Sequence, residues 1–146
     1  DKRVPEGRPL HEYVNLYFHA RNPMMYKRRR QHEDLCVLSL HKRVLKAEGT
    51  VIADRNASSD YVRFGRGADD LDILHDQWVY ARDWTHGNQL SQWKHRSIKC
   101  AEVLVPDRVD RAHVRRIFVS CEQSKEDVKE IVEDLEVKVH SDLFFQ

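Results

Sequence analysis

One acidic residue stands out because it interrupts an apolar stretch. Glu102 lies in Cys-Ala-Glu-Val-Leu-Val, which runs from Cys100 to Val105. Side chains alternate along a strand, and both faces are apolar here, so the pattern predicts a strand buried on both sides. A buried carboxylate must find a partner, shift its pKa or open to a cleft. From the residues alone, a structural pair with an arginine is the commoner explanation and catalysis is the alternative.

The other residue types that often carry chemistry form no motif. The cysteines (Cys36, Cys100 and Cys121) include no C-x-x-C pair and lie in apolar runs, so we expect reduced thiols rather than disulfides or zinc ligands. Nine histidines and 24 acidic residues raise the alternative of a metal-dependent nuclease. The sequence contains no H-x-H or H-E-x-x-H spacing, and it therefore predicts no metal ligands.

Charge is segregated along the chain, although the net charge is only +1. Residues 1–30 carry eight Lys or Arg and three acids, and residues 92–116 carry seven and three. Residues 122–136 reverse this, with two Lys and seven acids. The pattern fits a polyanion bound on one side of the molecule, or basic and acidic elements that face each other.

Short elements of both kinds must position these residues. Runs of β-branched and aromatic residues predict strands over 13–20, 35–41, 50–54, 100–105, 116–121 and 137–140. Helical spacing of apolar residues predicts helices over 71–84 and 124–135, the second capped by Ser124 with Asp127. Because the order is irregular rather than βαβ, the 146 residues are predicted to be one α+β domain. No apolar stretch approaches the roughly 20 residues of a membrane helix, so no membrane contact is expected.

Four stretches, taken in order, resemble a known family. They are Gly7–Tyr26 (GRPLHEYVNLYFHARNPMMY), Ala53–Tyr61 (ADRNASSDY), Ala81–Trp84 (ARDW) and Lys99–Val109 (KCAEVLVPDRV). Together they are similar to the DarT family of DNA ADP-ribosyltransferases, whose pattern runs roughly L-H-[DE]-Y-V-x-x-Y-F-x-x-R-x-P-M, D-x-N-A and A-E-x-L-V. The resemblance implies an ADP-ribosyltransferase (PARP-like) fold, with mixed central β-sheets and flanking helices, in one domain over residues 1–146.

The activity implied by this resemblance is transfer of ADP-ribose from NAD, without a metal, to thymine bases in single-stranded DNA. Such proteins are toxins of toxin–antitoxin systems in the bacterial cytoplasm, so a macrodomain (DarG-like) antitoxin that removes the mark is an expected partner. Glu102 falls on the family's catalytic glutamate. There it would stabilise an oxocarbenium-like ribose and take the proton from the thymine ring nitrogen.

The resemblance also assigns binding residues. Tyr17 and Phe18 match an aromatic pair beside NAD, and because neighbours alternate, at least one must face the core; Tyr17 is the expected ligand. The residues expected at the cofactor are Arg3, Tyr17, Phe18, Arg21 and Met24. Aromatic and cationic residues interleave ahead of Glu102, which suits the stacked bases and phosphates of a single strand. The residues expected to bind DNA are Tyr80, Arg82, Trp84, Lys94, His95 and Arg96.

One departure from the family affects the expected activity. Family members carry an upstream segment with a strand histidine that binds the NAD ribose, and the sequence from Asp1 has no matching segment. The resemblance therefore predicts an N-terminally truncated transferase domain, and it leaves the activity of this fragment open. The alternative is a catalytically impaired domain that binds single-stranded nucleic acid on the same scaffold.

Overall fold

Two β-sheets form the centre of the protein in a computed structural model that describes residues 2–146. The strands in that range are β1 (Tyr13–Tyr17), β2 (Cys36–Leu40), β3 (Val51–Ala53), β4 (Phe64–Arg66), β5 (Glu102–Pro106), β6 (Val114–Val119) and β7 (Glu136–Val139). The first sheet has the order β1-β5-β3-β4 and is antiparallel throughout. The second has the order β2-β6-β7, with an antiparallel pair followed by a parallel one.

Short helices connect and flank the sheets. The α-helices of the described chain are α1 (Pro23–Lys27), α2 (Asp76–Val79), α3 (Gln89–Ile98) and α4 (Glu122–Ile131). Short 3₁₀ helices span Leu10–Glu12, Arg29–Asp34, Lys42–Lys46, Gly67–Ile73, Arg111–His113 and Ser141–Phe144. Two sheets with helices between the strands confirm the predicted α+β class. No helix within residues 2–146 has both the length and the apolar character needed to cross a bilayer.

Strand β5 is an interior strand, as its apolar pattern predicts. It pairs with β1 on one side and β3 on the other, and every residue from Glu102 to Val105 is buried. Leu104 packs into one apolar cluster and Val103 into another, so both faces of the strand are covered. The strand begins two residues later than predicted, because Cys100 lies in the turn that follows α3.

The helices depart further from the sequence prediction. The predicted helix over 71–84 is wrong: it is the end of a 3₁₀ helix and the single turn of α2, with extended backbone at Leu74 between them. Helix α3 was not predicted, because its stretch is polar and lacks an apolar stripe. Its first turn is instead stabilised by the Asn88 side chain, which accepts from the N–H groups of Leu90 and Ser91.

Helix α4 begins earlier than predicted. Cys121 occupies the cap position, so the capping role predicted for Ser124 is wrong. The buried Ser124 hydroxyl instead donates to the carbonyl of Glu33, at 2.8 Å, and so attaches the helix to a neighbouring segment. Val128 of this helix packs on the second sheet, whereas Ile131 at its end is 81% exposed.

Candidate active site

Glu102 stands at the first position of β5, where the strand meets the turn from α3. Its register partners are Tyr17 on β1 and Ala53 on β3, which places the carboxylate at one end of the first sheet. The Oε1 atom accepts a hydrogen bond from Asn15 Nδ2 at 3.0 Å. The Oε2 atom accepts one from the backbone N–H of Ala57 at 2.7 Å. The residue is 7% exposed, so neither bond competes with bulk water.

No cation of the described residues pairs with this carboxylate. Within residues 2–146, no Lys, Arg or His nitrogen lies within 4 Å of the Glu102 carboxylate oxygens. Burial raises the pKa of Glu102, and the hydrogen bonds from Ala57 and Asn15 oppose that rise. The structural pair with an arginine, which the isolated sequence favoured, is therefore wrong. A buried carboxylate with a raised pKa and two fixed donors has the properties of a general base.

The turn after β3 supplies the backbone donor. Asn56 Oδ1 accepts from both the N–H and the hydroxyl of Ser58, which closes a turn of the kind that Asn side chains stabilise. Asp54, which is 2% exposed, accepts from the N–H and the guanidinium of Arg63 and so fixes the start of the turn. Between these two anchors, the N–H of Ala57 points at the carboxylate. The D-x-N-A element thus has a physical role in orienting the glutamate.

A cleft of about 1050 Å³ opens where the two sheets approach each other, and we call it the large cleft. Its walls include β1 and β2, each the end strand of its sheet. Tyr17 is 41% exposed there, whereas Phe18 packs against two core clusters. Burial, and then the nearby Cys100 and Glu102, raise the pKa of Tyr17 to about 12, so its phenol stays protonated. Arg28 supplies a cation to the same cleft.

A second cavity of about 440 Å³ shares the Met24 side chain with the large cleft, and we call it the notch. Trp93, 56% exposed, forms one wall. Lys27 and Arg96 are exposed at the same cavity, and neither side chain makes a hydrogen bond or ion pair with the described chain. An exposed indole beside unpaired cations is suited to stacking a base and binding its phosphates.

Glu102 lies between these two cavities and lines neither of them directly. Asn15 and Tyr17, its neighbours on β1, line the large cleft. Asn56 and Cys100, on its other side, line the notch. One carboxylate is therefore placed between an apolar cavity and a polar, cation-lined one.

The structure brings together three of the five residues predicted at the cofactor. Tyr17, Phe18 and Met24 all line the large cleft. Arg21 lines neither cavity, because its guanidinium binds Asp142 and lies over the Phe145 ring at 3.9 Å.

Arg3 also lies outside both cavities. Its guanidinium donates to the carbonyl of Gly7, and its backbone forms a bridge with Pro9. The predicted cofactor roles of Arg21 and Arg3 are thus not supported by their positions, since both side chains serve local structure.

Of the residues predicted to bind DNA, some lie at a cavity or on the open surface, and the others make contacts within the protein. Arg96 lines the notch and Lys94 is exposed on the same helix, whereas Tyr80 lines the large cleft. Arg82 instead makes two hydrogen bonds to Asp142.

Trp84 and His95 are committed to packing within the protein. Trp84 lies edge-on to Tyr26 and Phe145. His95 is 4% exposed, stacks on Trp78 and bonds His86 and the Trp78 carbonyl. The DNA-binding prediction for His95 is therefore wrong, because neither ring nitrogen is available. Among residues 2–146, no group of three or more His, Cys, Asp or Glu is arranged to hold a metal ion.

Sequence reasoning missed three residues that the geometry brings to the site: Asn15 holds Glu102, Arg28 lines the large cleft and Lys27 lines the notch. Trp93, which also lines the notch, belongs to the interleaved aromatic and cationic stretch ahead of Glu102. Asn15 carried a readable signal, since it is a polar residue on the Tyr17 face of an otherwise apolar strand. The two cations had none, because nothing local tells which cations of Lys27–Arg30 find partners.

The comparison with known families agrees with this geometry. Residues 1–145 match the family described as DarT, ssDNA thymidine ADP-ribosyltransferase. The chain belongs to this family. A "DNA ADP-ribosyl transferase-DNA ADP-ribosyl glycohydrolase fusion protein" of Thermosipho africanus (strain H17ap60334) is 27% identical over 145 residues, 97% of this chain. The chain spans 36% of that relative, little more than a third of its length.

Two solved structures of DarT proteins have the same fold. "Thermosipho africanus DarTG in complex with ADP-ribose" matches with a TM-score of 0.85 and 25% identity, over 99% of this chain and 39% of that one. "Thermus sp. 2.9 DarT in complex with NAD+" matches with a TM-score of 0.84 and 26% identity, over 97% of this chain and 76% of that one. The predicted ADP-ribosyltransferase fold is confirmed.

Proposed function

We propose that this DarT family member transfers ADP-ribose from NAD to thymine bases in single-stranded DNA. The observation that carries the proposal is the Glu102 carboxylate, which is buried without a counter-ion among residues 2–146 and held by Asn15 and Ala57 between two cavities. Family membership supports the reaction class, and the Thermus relative with NAD+ supports the co-substrate. We infer that residues 1–146 act as one transferase domain.

The large cleft is the cavity that suits NAD. Its volume is at the upper end of the range for small-molecule sites, and its walls are mainly apolar with a few polar groups. Tyr17 offers an exposed ring on which the nicotinamide can stack, with the Met24 side chain beside it. Arg28 provides a guanidinium for the pyrophosphate. This assigns to Arg28 the cationic contact with the cofactor that the resemblance implied for Arg21.

The chemistry follows from a fixed carboxylate beside this cleft. The bond between the ribose anomeric carbon and the nicotinamide nitrogen breaks, and its electron pair leaves with nicotinamide. The ribose then carries positive charge, which the Glu102 carboxylate stabilises. Glu102 accepts the proton of the thymine ring nitrogen, and that nitrogen forms the new bond to the anomeric carbon. A raised pKa makes the glutamate a stronger base for this step.

The notch is the cavity that suits the acceptor strand. Trp93 can stack a base, and Lys27 and Arg96 can bind adjacent phosphates. Lys94 extends the positive charge along α3. The Met24 side chain lines both cavities. A base in the notch and a cofactor in the large cleft would therefore lie on opposite sides of Met24.

The biological setting is part of the same proposal. The Thermosipho relative is named as a fusion of the transferase with a DNA ADP-ribosyl glycohydrolase. That name supports a macrodomain, DarG-like antitoxin as the partner of this chain, which would act as the toxin. Both proposed substrates, NAD and DNA, are present in the bacterial cytoplasm, and we propose that the toxin acts there.

The test uses labelled NAD and two oligonucleotides that differ only in whether thymine or cytosine fills one position. We expect label on the thymine strand alone, and none with Glu102→Gln. The control is Glu126→Gln, an exposed glutamate of α4. Label that persists in Glu102→Gln would refute the catalytic assignment. Binding of the oligonucleotide without any transfer by the unaltered chain would favour the alternative of an impaired nucleic-acid-binding domain.

A further inference from the structure

Lys99 is a buried cation that the proposed chemistry does not use. It is 0% exposed, and its ammonium makes three hydrogen bonds. The acceptors are the carbonyls of Val79 at 3.0 Å and Ala81 at 2.5 Å, and His19 Nδ1 at 2.7 Å. An ammonium has three donors, so all of them are used. No carboxylate oxygen of residues 2–146 lies within 4 Å of it.

One of these acceptors belongs to the wall of the large cleft. His19 follows Tyr17 by two residues, and both line that cleft. The His19 ring also lies edge-on to Tyr80, with 5.8 Å between ring centroids. Burial, and then the charge of Lys99, lower the pKa of His19 to about 4. The imidazole is therefore neutral at pH 7 and accepts the ammonium's hydrogen bond.

The carbonyls of Val79 and Ala81 lie at the start of residues 79–88, which connect α2 to α3. We call this stretch the acceptor-side segment, because it leads to the notch proposed for the acceptor DNA strand. Val79 ends α2, and Ala81 follows it at the start of the irregular stretch that leads to α3. Lys99 itself follows α3 and lies three residues before Glu102. A single nitrogen atom thus joins the cleft wall, the segment leading to the notch and the turn that enters the catalytic strand.

Stability alone does not explain a lysine at this place. Removing an ammonium from water is costly, and here burial is the main cause that lowers the pKa of Lys99 to about 8. An apolar side chain of similar volume would avoid that cost. What only the ammonium supplies is three directed bonds from one point, and directed bonds fix relative position.

We propose that Lys99 is a positioning residue, which holds the acceptor-side segment and the Tyr17 strand in one arrangement relative to the Glu102 carboxylate. The inference rests on the proposed function for its effect on rate. Transfer needs the sugar, the base and the carboxylate in register, and a small displacement is costly in rate. Because Lys99 itself does not line the large cleft, NAD binding should change little when it is replaced.

The experiment compares Lys99→Met with Lys129→Met in the full chain. Methionine keeps the length without the charge, and Lys129 is an exposed lysine of α4 far from the site in sequence. At saturating NAD and oligonucleotide, we expect kcat to fall at least about tenfold in Lys99→Met. The Kd for NAD should stay within about twofold of the unaltered chain. A kcat within twofold of the control would overturn the proposal.

A second variant covers the case in which Lys99→Met does not fold. His19→Phe leaves the lysine in place and removes one acceptor. We expect kcat to fall in this variant too, and the double variant, if folded, to be no slower than Lys99→Met alone. An unchanged kcat in His19→Phe would contradict a positioning role, and so would a double variant slower than Lys99→Met by the full factor that His19→Phe shows alone.

Hydrogen exchange separates this proposal from the proposed function. Lys99→Met, or His19→Phe in its place, should lose amide protection in residues 79–88 while β5 stays protected. If the unaltered chain transfers no label to thymine, the proposed function fails, and the exchange result alone decides whether Lys99 positions this segment. Unchanged protection in residues 79–88 would reject it.

Discussion

Glu102 and Lys99 lie three residues apart, and both are buried charges with no oppositely charged partner within 4 Å in the described chain. They differ in what surrounds them. Glu102 has two donors and cavities on both sides, whereas Lys99 has all three donors used and no opening. The comparison teaches that burial of a charge does not by itself mark a catalytic group. An unfilled hydrogen-bonding capacity beside a cavity is the feature that does.

The largest effect is expected when the glutamate loses its charge. Glu102→Gln should lower the transfer rate about 10³-fold, because it removes both the base and the negative charge that the proposed mechanism places beside the ribose. Its thermal stability should not fall, since the raised pKa of Glu102 shows that burial disfavours the ionised form. Single-turnover rates and melting curves check the two parts. If Glu102→Gln were active and less stable than the unaltered chain, Glu102 would be a structural residue and its contrast with Lys99 would be wrong.

The second effect concerns the donor on β1. Asn15 donates to the ionised form of Glu102 and opposes the rise of its pKa, so Asn15→Leu should raise that pKa further. Activity needs the ionised carboxylate, and the acidic limb of kcat should therefore move to higher pH. At pH values below the acidic limb, we expect kcat of Asn15→Leu to be about tenfold lower than that of the unaltered chain for each pH unit by which the limb moves.

Thr50→Val provides the matched control for Asn15→Leu. It removes another buried hydrogen bond, from the Thr50 hydroxyl to the Val44 carbonyl, without touching Glu102. Profiles of kcat from pH 5 to 9 should keep their acidic limb in this control. An unmoved limb in Asn15→Leu would show that Asn15 does not tune the base.

Two arginines extend the same contrast to the surface. Arg96 makes no side-chain hydrogen bond or ion pair within the described chain, whereas Arg82 binds Asp142. Arg96→Gln should reduce the salt dependence of oligonucleotide binding by about one phosphate contact, near 0.7 in the logarithmic slope. Arg82→Gln should leave that slope unchanged and lower stability by less than about 1 kcal/mol. Titrations at several salt concentrations distinguish them, and equal slopes in both variants would contradict the assignment.

The smallest effect is a pH dependence of stability. The pKa of Lys99 is about 8 in the folded chain against an ordinary 10.5, so between these values the unfolded chain holds a proton that the folded one has lost. The free energy of unfolding should therefore rise with pH across this window. Arg21 also lowers this pKa, while Cys100 and Asp83 oppose the shift. Denaturant titrations should show the rise in Lys129→Met and a smaller one in Lys99→Met; equal rises would argue against a perturbed lysine.

Local patterns predicted some parts of the site well. The alternation around Glu102 is a property of adjacent residues, so an interior strand could be predicted without any tertiary information. The Asn56 turn is equally local, because its side-chain bonds span two residues. By contrast, α3 has few apolar residues, and its first turn depends on the Asn88 cap. One Asn within a polar stretch does not distinguish a helix start from a loop.

Long-range partners explain the predictions that failed. Arg21 and Arg82 look free in the sequence, but their common partner Asp142 lies 121 and 60 residues away. His95 sits between exposed neighbours on α3, and only the packing of Trp78 shows that its ring is inside. Arg111 of the basic segment pairs with Asp134 of the acidic one, so part of the segregated charge is internal pairing.

The donor at Ala57 has a consequence for mutagenesis. One of the two groups that aim the glutamate is a main-chain amide, and no exchange of the methyl side chain removes it. Side-chain scanning mutagenesis at position 57 would report only the effect of the tight packing around Ala57. Only a replacement that deletes the amide hydrogen, such as proline, or a backbone ester would reveal its chemical share.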